Sequence, residues 1–367
     1  MKTLFINPSK IKKSNIDGGG PFYNIEDINS IIETCTENGD WDLNVIDFSE
    51  LMIYRSLFDF LKNGTPWIET KLYTHLLENL NNGNPMWSCN SIELILKRGE
   101  YLKDLYKYMK ETGEIPKGYY EEDDICVSID REGGFLFAKN GTHRLCISKI
   151  LNFKTIPVKV FRVHENWSKY KLEIKEMCDK LWNGRTYQNL PHPDFTDIQT
   201  MWPDVRFDII KNNTKLTIGS TLVDIGSLFG NICYQAELEG FNCTAIETDS
   251  KYLNVMKKLH KSYEMNYKII EDSFFDVEFN FDIIVAFNIF HHFLKTENLY
   301  NNLRSYLNSI KFKELFIQVH STDEPQMESA FLNLTPEEFI DFVKTETNKD
   351  EIEYLYELNG RKIYKIY

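Results

Sequence analysis

An α/β fold in two domains is what this sequence predicts, and three observations carry it. The chain has 367 residues, more than one hydrophobic core usually supports. Its second half alternates apolar runs with helical stretches, the pattern of a doubly wound parallel sheet covered on both faces. Its first half differs, because long stretches of helical period give way there to a short β-rich run. That change predicts a helical portion joined to a small α+β unit. The expected boundaries are 1–164 for the N-terminal domain, 165–214 for a connector and 215–367 for the doubly wound domain.

After a short opening segment, residues 25–112 read as mostly helical. "FSELMIYRSLFDFLKNG" sets Leu51, Tyr54, Leu57, Phe58 and Leu61 at steps of three and four, which makes one helical face apolar and sends it into a core. "ETKLYTHLLENLNNG" and "IELILKRGEYLKDLYKYMKETG" repeat the pattern, and each stops at a glycine suited to a left-handed cap. "DICVSIDREGGFLFAKNGTHRLCISKILNFKTIPVKVFRVH" then predicts a strand, a turn at Gly133-Gly134, a second strand, a helix from about Thr142, and a strand in "IPVKVFRV". Residues 165–213 lack a sustained period and read as a connector, docked through Trp182, Tyr187 and Phe195.

From Ile218 onward the order is "STLVDIG" strand, "NICYQAELEG" helix, "CTAIETD" strand, "SKYLNVMKKLHKSY" helix and "YKIIED" strand. "FDIIVAFN" and "ELFIQVH" follow as strands with a helix between them. Thr335-Pro336-Glu337-Glu338 is a capping box with proline at the first helical position. Two β runs around Asn359-Gly360 close the chain as a hairpin.

Composition narrows the function. With 42 Lys+Arg against 55 Asp+Glu the formal net charge is -13, which repels phosphate polymers at long range; no DNA partner is expected. The seven cysteines form no C-x-x-C pair and no His/Cys cluster at zinc-ligand spacing, so reduced thiols and no metal are expected. The N-terminal apolar run is too short for a signal peptide, and nowhere do about 18 apolar residues run together. A cytoplasmic protein with no membrane association is the expectation.

The chemistry centres on "VDIGSLFGN". The first strand of a doubly wound domain delivers its ligand to the turn at its C-terminal edge, and Asp224, Gly226 and Gly230 occupy that turn. Alone, the turn reads equally as a ligand loop or as a bend between strand and helix. Glu247 ends the next strand roughly 20 residues later, where an acidic side chain can accept hydrogen bonds from ribose hydroxyls. A dinucleotide site would show G-x-G-x-x-G; here Leu228 interrupts that spacing.

The pattern instead resembles the acidic-x-G-x-x-x-G motif of class I S-adenosylmethionine-dependent methyltransferases, whose fuller form has a further glycine where Leu228 stands. The resemblance runs from about Leu222 to the C-terminus and implies a Rossmann-like sheet with S-adenosyl-L-methionine as cofactor. It implies that Asp224 fixes the turn, that Gly226 and Gly230 underlie the methionine part and the helix entry, and that Glu247 takes the ribose. Asp272, after the third strand, would meet the adenine amino group, and the backbone near Asn288 would face the methionine end. The terminal hairpin also fits.

The sulfonium of that cofactor already activates its methyl group, so the protein has mostly to position an acceptor and exclude water. His291 and His292 follow the fourth strand, close to where the methyl would be displayed. Each reads either as a general base with an unperturbed pKa near neutral or as a packing or capping residue. The two-proline tetrad of enzymes that methylate DNA bases is absent from "AFNIFHH". A small-molecule or glycan acceptor, methylated on oxygen or nitrogen, is the leading expectation.

A second candidate lies in the N-terminal half, where Gly141, Thr142, His143 and Arg144 sit at a turn feeding a helix. Such a turn offers free N–H groups and the positive end of the helix dipole to an anion. The segment resembles the G-x-H-R motif of the ParB/sulfiredoxin-like fold over residues 125–163. That resemblance implies nucleotide-phosphate binding, with ATP or CTP and Mg as ligands and a kinase-like phosphotransferase as the alternative activity. Sulfiredoxins carry a reactive cysteine where Thr142 stands, so their chemistry is not implied. Linkage of such a segment to a methyltransferase domain suggests carbohydrate or other small-molecule modification.

Overall fold

The computed structural model describes residues 1–15, 34–117, 124–277 and 280–367, and the chain divides into two compact units, Met1–Ile174 and Lys175–Tyr367. The start of the expected helical region, residues 25–33, lies outside the described residues.

The first unit is built on a seven-stranded sheet formed by β1 (Thr3–Ile6), β2 (Lys13–Asn15), β3 (Cys35–Glu37), β4 (Val45–Asp47), β5 (Cys126–Ile129), β6 (Phe135–Lys139) and β7 (Ile156–His164). The order is β1-β7-β5-β6-β2-β4, with β3 parallel to the far end of β7. β1 to β4 are three or four residues long, too short for a period to show. They therefore correct the mostly helical reading at residues 35–37 and 45–47.

Among the described residues the α-helices of this unit ahead of residue 165 are α1 (Met52–Phe58), α2 (Lys71–Asn81), α3 (Ile92–Thr112) and α4 (Thr142–Ile150). α3 starts at a Ser91 cap whose hydroxyl accepts from the Leu94 N–H and ends at Gly113, φ 70°. The buried row of α1 is Ile53 and Leu57 with Phe60 beyond, while Phe58 is left 37% exposed against Tyr54. The sequence holds two overlapping apolar rows there, and packing against α2 and α4 selects one.

The helix α5 (Glu165–Trp182) occupies much of the expected connector. Trp167, Ile174 and Cys178 are buried on one face with Tyr170 half-buried. These four groups form a thin stripe among Lys and Glu, which is why no sustained period stood out.

The second unit contains α6 (Arg206–Asn213), β8 (Thr221–Ile225), α7 (Asn231–Leu238), β9 (Asn242–Ile246), α8 (Ser250–Ser262), β10 (Lys268–Ile270), β11 (Ile283–Phe287), α9 (Glu297–Ser309), β12 (Glu314–Gln318), α10 (Pro336–Glu346), β13 (Ile352–Leu358) and β14 (Arg361–Ile366). Its sheet runs β10-β9-β8-β11-β12-β14-β13, with the first five strands parallel and the last two antiparallel. This is the doubly wound, Rossmann-like α/β sheet that the sequence predicts, closed by the expected hairpin. β11 and β12 are buried at every position. One face of the sheet packs on α9 and α10 through Val223, Ile284, Leu303, Leu315, Phe339 and Val343, and the Thr335 capping box starts α10 as expected.

The chain winds one way from β8 through β9 to β10 and the other way from β11 to β12. β8 and β11 are adjacent, and the crevice beyond their C-terminal ends is the topological switch point where ligands bind open α/β sheets.

Candidate functional site

The loop after β8 is shaped by three residues in the left-handed region: Gly226 (φ 71°), Leu228 (φ 54°) and Gly230 (φ 76°). Leu228 stands where the fuller motif has glycine, yet its backbone takes the conformation that glycine adopts most readily. The Gly226 and Ser227 N–H groups donate to the Ile246 carbonyl at 2.9 and 3.0 Å, which ties the loop to the end of β9. Gly230 precedes α7 at a point where the Tyr267 hydroxyl occupies the place of a Cβ.

Glu247, the first residue past β9, is 8% exposed. Its Oε2 accepts from the Leu228 N–H at 2.9 Å, and its Oε1 from the Thr248 and Asp249 N–H groups, each at 2.9 Å. Burial raises its pKa against the lowering effect of those donors. Asp224 is 3% exposed, and burial, then the Glu247 charge, push its carboxyl well above the usual range. The structure thus brings Asp224, Gly226, Gly230 and Glu247 into one cluster. Lone pairs remaining on Glu247 can accept from hydroxyls approaching over the loop.

Because β10, β9, β8, β11 and β12 are parallel, the residues after them share one edge. Asp272 lies two residues beyond β10, exposed, with its Oδ1 accepting from the Ser273 N–H at 2.8 Å. Asn288 follows β11 with φ 57°. Its side-chain amide donates to the Tyr187 hydroxyl at 2.7 Å and to Gln318 Oε1 at 2.8 Å, while its Oδ1 accepts from Arg361. Arg361 is in turn paired with Glu324.

His291 is 2% exposed and neither ring nitrogen has a hydrogen-bond partner. Its ring centroid is 4.1 Å from that of His292 and 5.7 Å from that of His320. Burial, then the neighbouring His292, drives its pKa down to about 2; burial, then Lys295, brings His292 to about 4. The expectation of an unperturbed imidazole is therefore not met at either position. Both rings are neutral at pH 7 and weakly basic, because a charged imidazolium there would lose its hydration.

Sequence reasoning missed the polar side chains that residues 183–206 bring to this edge. Gln188 donates to the Ser227 carbonyl at 2.8 Å. Asp204 Oδ2 accepts from the Asn231 amide at 2.8 Å and from the Asn189 N–H at 2.9 Å. Arg206 lies 5.0 Å from the centre of the Tyr187 ring. The one available signal was aromatic: Trp182, expected to dock, meets Phe229 of the glycine loop edge-on and stacks on Tyr252. Gln318 and His320 are buried polar residues at and just past the end of β12, after the apolar Leu315, Phe316 and Ile317, a local break in pattern that itself marks a site.

In the first unit, Asn140 (φ 58°) and Gly141 (φ 61°) lead into α4 as two successive left-handed residues. Thr142 is half-buried. His143 Nε2 is sealed from solvent without a partner, its ring is 4.8 Å from that of Trp87, and burial, then Arg98, lowers its pKa to about 3. Arg144 is buried and donates to the Pro116 carbonyl at 3.3 Å. Among the described residues no group of three or more His, Cys, Asp or Glu side chains is placed to hold a metal ion, and no helix is long and apolar enough to cross a membrane.

No protein-family model matches the chain, and no curated protein matches it. Among solved structures, monomeric WbdD is similar at 17% identity and a TM-score of 0.42, over 50% of this chain and 46% of that one. A second WbdD structure, described as a bifunctional kinase-methyltransferase, aligns at 16% identity and TM-score 0.40, over 50% and 43%. The chain thus spans less than half the length of these WbdD chains. The N-methyltransferase NodS from Bradyrhizobium japonicum WM9 aligns at 9% identity and TM-score 0.34, over 44% of this chain and 92% of its own.

Proposed function

We propose that the second unit binds S-adenosyl-L-methionine and transfers its methyl group to a small-molecule or glycan acceptor, on oxygen or nitrogen. The observation that carries this reading is Glu247, a buried carboxylate held by three N–H groups at the end of β9 and bonded to the glycine loop. Its chemistry suits the vicinal hydroxyls of a ribose at a switch point. The exposed carboxylate of Asp272 suits the adenine amino group. When bound, this cofactor supplies an electrophilic methyl on a sulfonium.

The chain's own residues then orient and enclose the acceptor. Tyr187, Asn288, Gln318 and Arg361 form a fixed polar wall at the end of β11. His291 and His292, the candidate catalytic pair, are neutral and weakly basic. Positioning therefore carries more of the rate than proton abstraction does. Calorimetry tests the reading: the pure protein is expected to bind S-adenosylmethionine, and Glu247→Ala to weaken it by roughly 10-fold or more. Absence of binding, or undiminished binding by the variant, would sink it.

A second reading concerns the first unit, and the two left-handed residues ahead of α4 favour it. We propose that the turn of Gly141, Thr142, His143 and Arg144 binds the phosphates of a nucleotide, ATP or CTP with Mg, through the backbone N–H groups at the helix N-terminus and the Arg144 guanidinium, the His143 ring staying buried beneath it. A kinase-like phosphotransferase is the activity that site would serve. Thermal shifts with Mg-ATP and Mg-CTP are expected in the native chain and lost in Arg144→Ala; no shift with either nucleotide rejects it.

A further inference from the structure

Arg206 opens α6 and is 5% exposed, yet little of its hydrogen-bonding capacity is spent. A guanidinium carries five N–H donors. Here Nε has no partner, and the bond given by Nη1 is a long one, 3.3 Å to Asp204 Oδ1. Asp204 is meanwhile occupied, its Oδ2 accepting from both Asn189 and Asn231. Burying a cation with donors unspent is costly unless something else takes them up.

The place of this side chain says what that partner is. Its guanidinium packs on the Tyr187 ring, whose hydroxyl accepts from Asn288 after β11. It also lies within electrostatic reach of Asp224, whose strand leads into the glycine loop. Arg206 thus stands between the ends of β8 and β11, at the switch point. Beside it are two buried carboxyl groups, those of Asp204 and Asp224. One fork-shaped cation next to two acidic side chains is complementary to a zwitterion: the fork matches a carboxylate through two parallel bonds, and the acidic side chains match an ammonium group.

We propose that Arg206 binds the α-carboxylate of the amino-acid end of the methyl donor, with Asp204 and Asp224 facing its α-ammonium group. This rests on the donor reading of the second unit and adds a residue from outside the sheet to it. The consequence is selectivity. The full donor and its demethylated product are held at both ends, while a nucleoside lacking the amino-acid part is held by the ribose and adenine contacts alone.

The test uses the intact chain in calorimetry with three probes: S-adenosylhomocysteine, decarboxylated S-adenosylmethionine and 5′-methylthioadenosine. In the native protein the decarboxylated probe is expected to bind roughly 10- to 100-fold more weakly than S-adenosylmethionine, the range for losing a hydrogen-bonded charge pair. Arg206→Met, which keeps an unbranched apolar stem, is expected to lose a similar factor for S-adenosylhomocysteine and none for 5′-methylthioadenosine. Equal loss for both probes marks a structural role and overturns the proposal. So does equal binding of carboxylated and decarboxylated donor by the native protein, an arm that needs no folded variant. Native protein that binds all the adenosyl probes alike overturns this inference and leaves the methyl-donor reading standing; binding none of them removes that reading as well.

Discussion

At Gly230 two demands meet in one residue. Its φ of 76° lies in the left-handed region, and the Tyr267 hydroxyl fills the space a Cβ would need. Gly226 has the same backbone demand (φ 71°), but a Cβ there meets the Ile289 side chain, nearest at Cδ1, 3.0 Å away, against the closer Tyr267 hydroxyl at Gly230. Gly230→Ala is therefore expected to cost about 2–4 kcal/mol and Gly226→Ala about 1–2, the difference being the steric part. Urea denaturation checks the order: equal midpoints for the two variants would contradict it. Leu228 shows why the motif could be read through one mismatch. The residue type departs from glycine, but its backbone at φ 54° and its N–H bond to Glu247 keep the loop's shape.

Elements were legible where they are long and repetitive. β11 is a run of buried apolar residues, β8 and β12 are mostly so, and α3 and α10 carry their caps in the sequence. β3 and β4 were not, because three residues cannot express a period and their pairing is decided by distant strands. The same contrast runs through the site. Asp224, Gly226 and Glu247 were visible because strand ends fix their spacing, whereas Tyr187, Asp204 and Arg206 reach the edge through the irregular path of residues 183–206. α3 adds a case where packing overrides local preference. Gly99 sits inside this helix, and a Cβ there would lie 2.6 Å from Trp67 Cγ, with the indole N–H fixed on the Ile95 carbonyl at 2.9 Å. Alanine favours a helix over glycine by about 1 kcal/mol. Gly99→Ala is still expected to destabilise the protein by about 1–2 kcal/mol, since overpacking exceeds that gain. A lowered urea midpoint with unchanged slope supports this; a raised midpoint refutes it.

Across the whole molecule, burial sets two opposing pH dependences. His143, His291, His292 and His320 all have pKa values lowered by burial, so the unfolded chain binds protons that the folded chain refuses once the pH drops below about 6.5. Their contribution is complete above that value and is lost as pH falls towards the folded pKa. Asp130, Asp224 and Glu247 have raised values and act in the other direction: the folded chain holds protons more tightly, which favours it as pH falls. The net slope mixes both groups, so a difference between native protein and a variant isolates one. His291 suits this, being 2% exposed with a pKa near 2. Between pH 7 and pH 5 its refusal of a proton costs the native protein on the order of 2 kcal/mol. His291→Leu removes that cost together with the two unpaired ring nitrogens of His291. Relative to native, the variant is expected to gain about 2 kcal/mol on going from pH 7 to pH 5, read from urea titrations at both values. A pH-independent difference would mean that His291 accepts a proton in the folded protein as readily as in the unfolded chain, and that the ring reaches water.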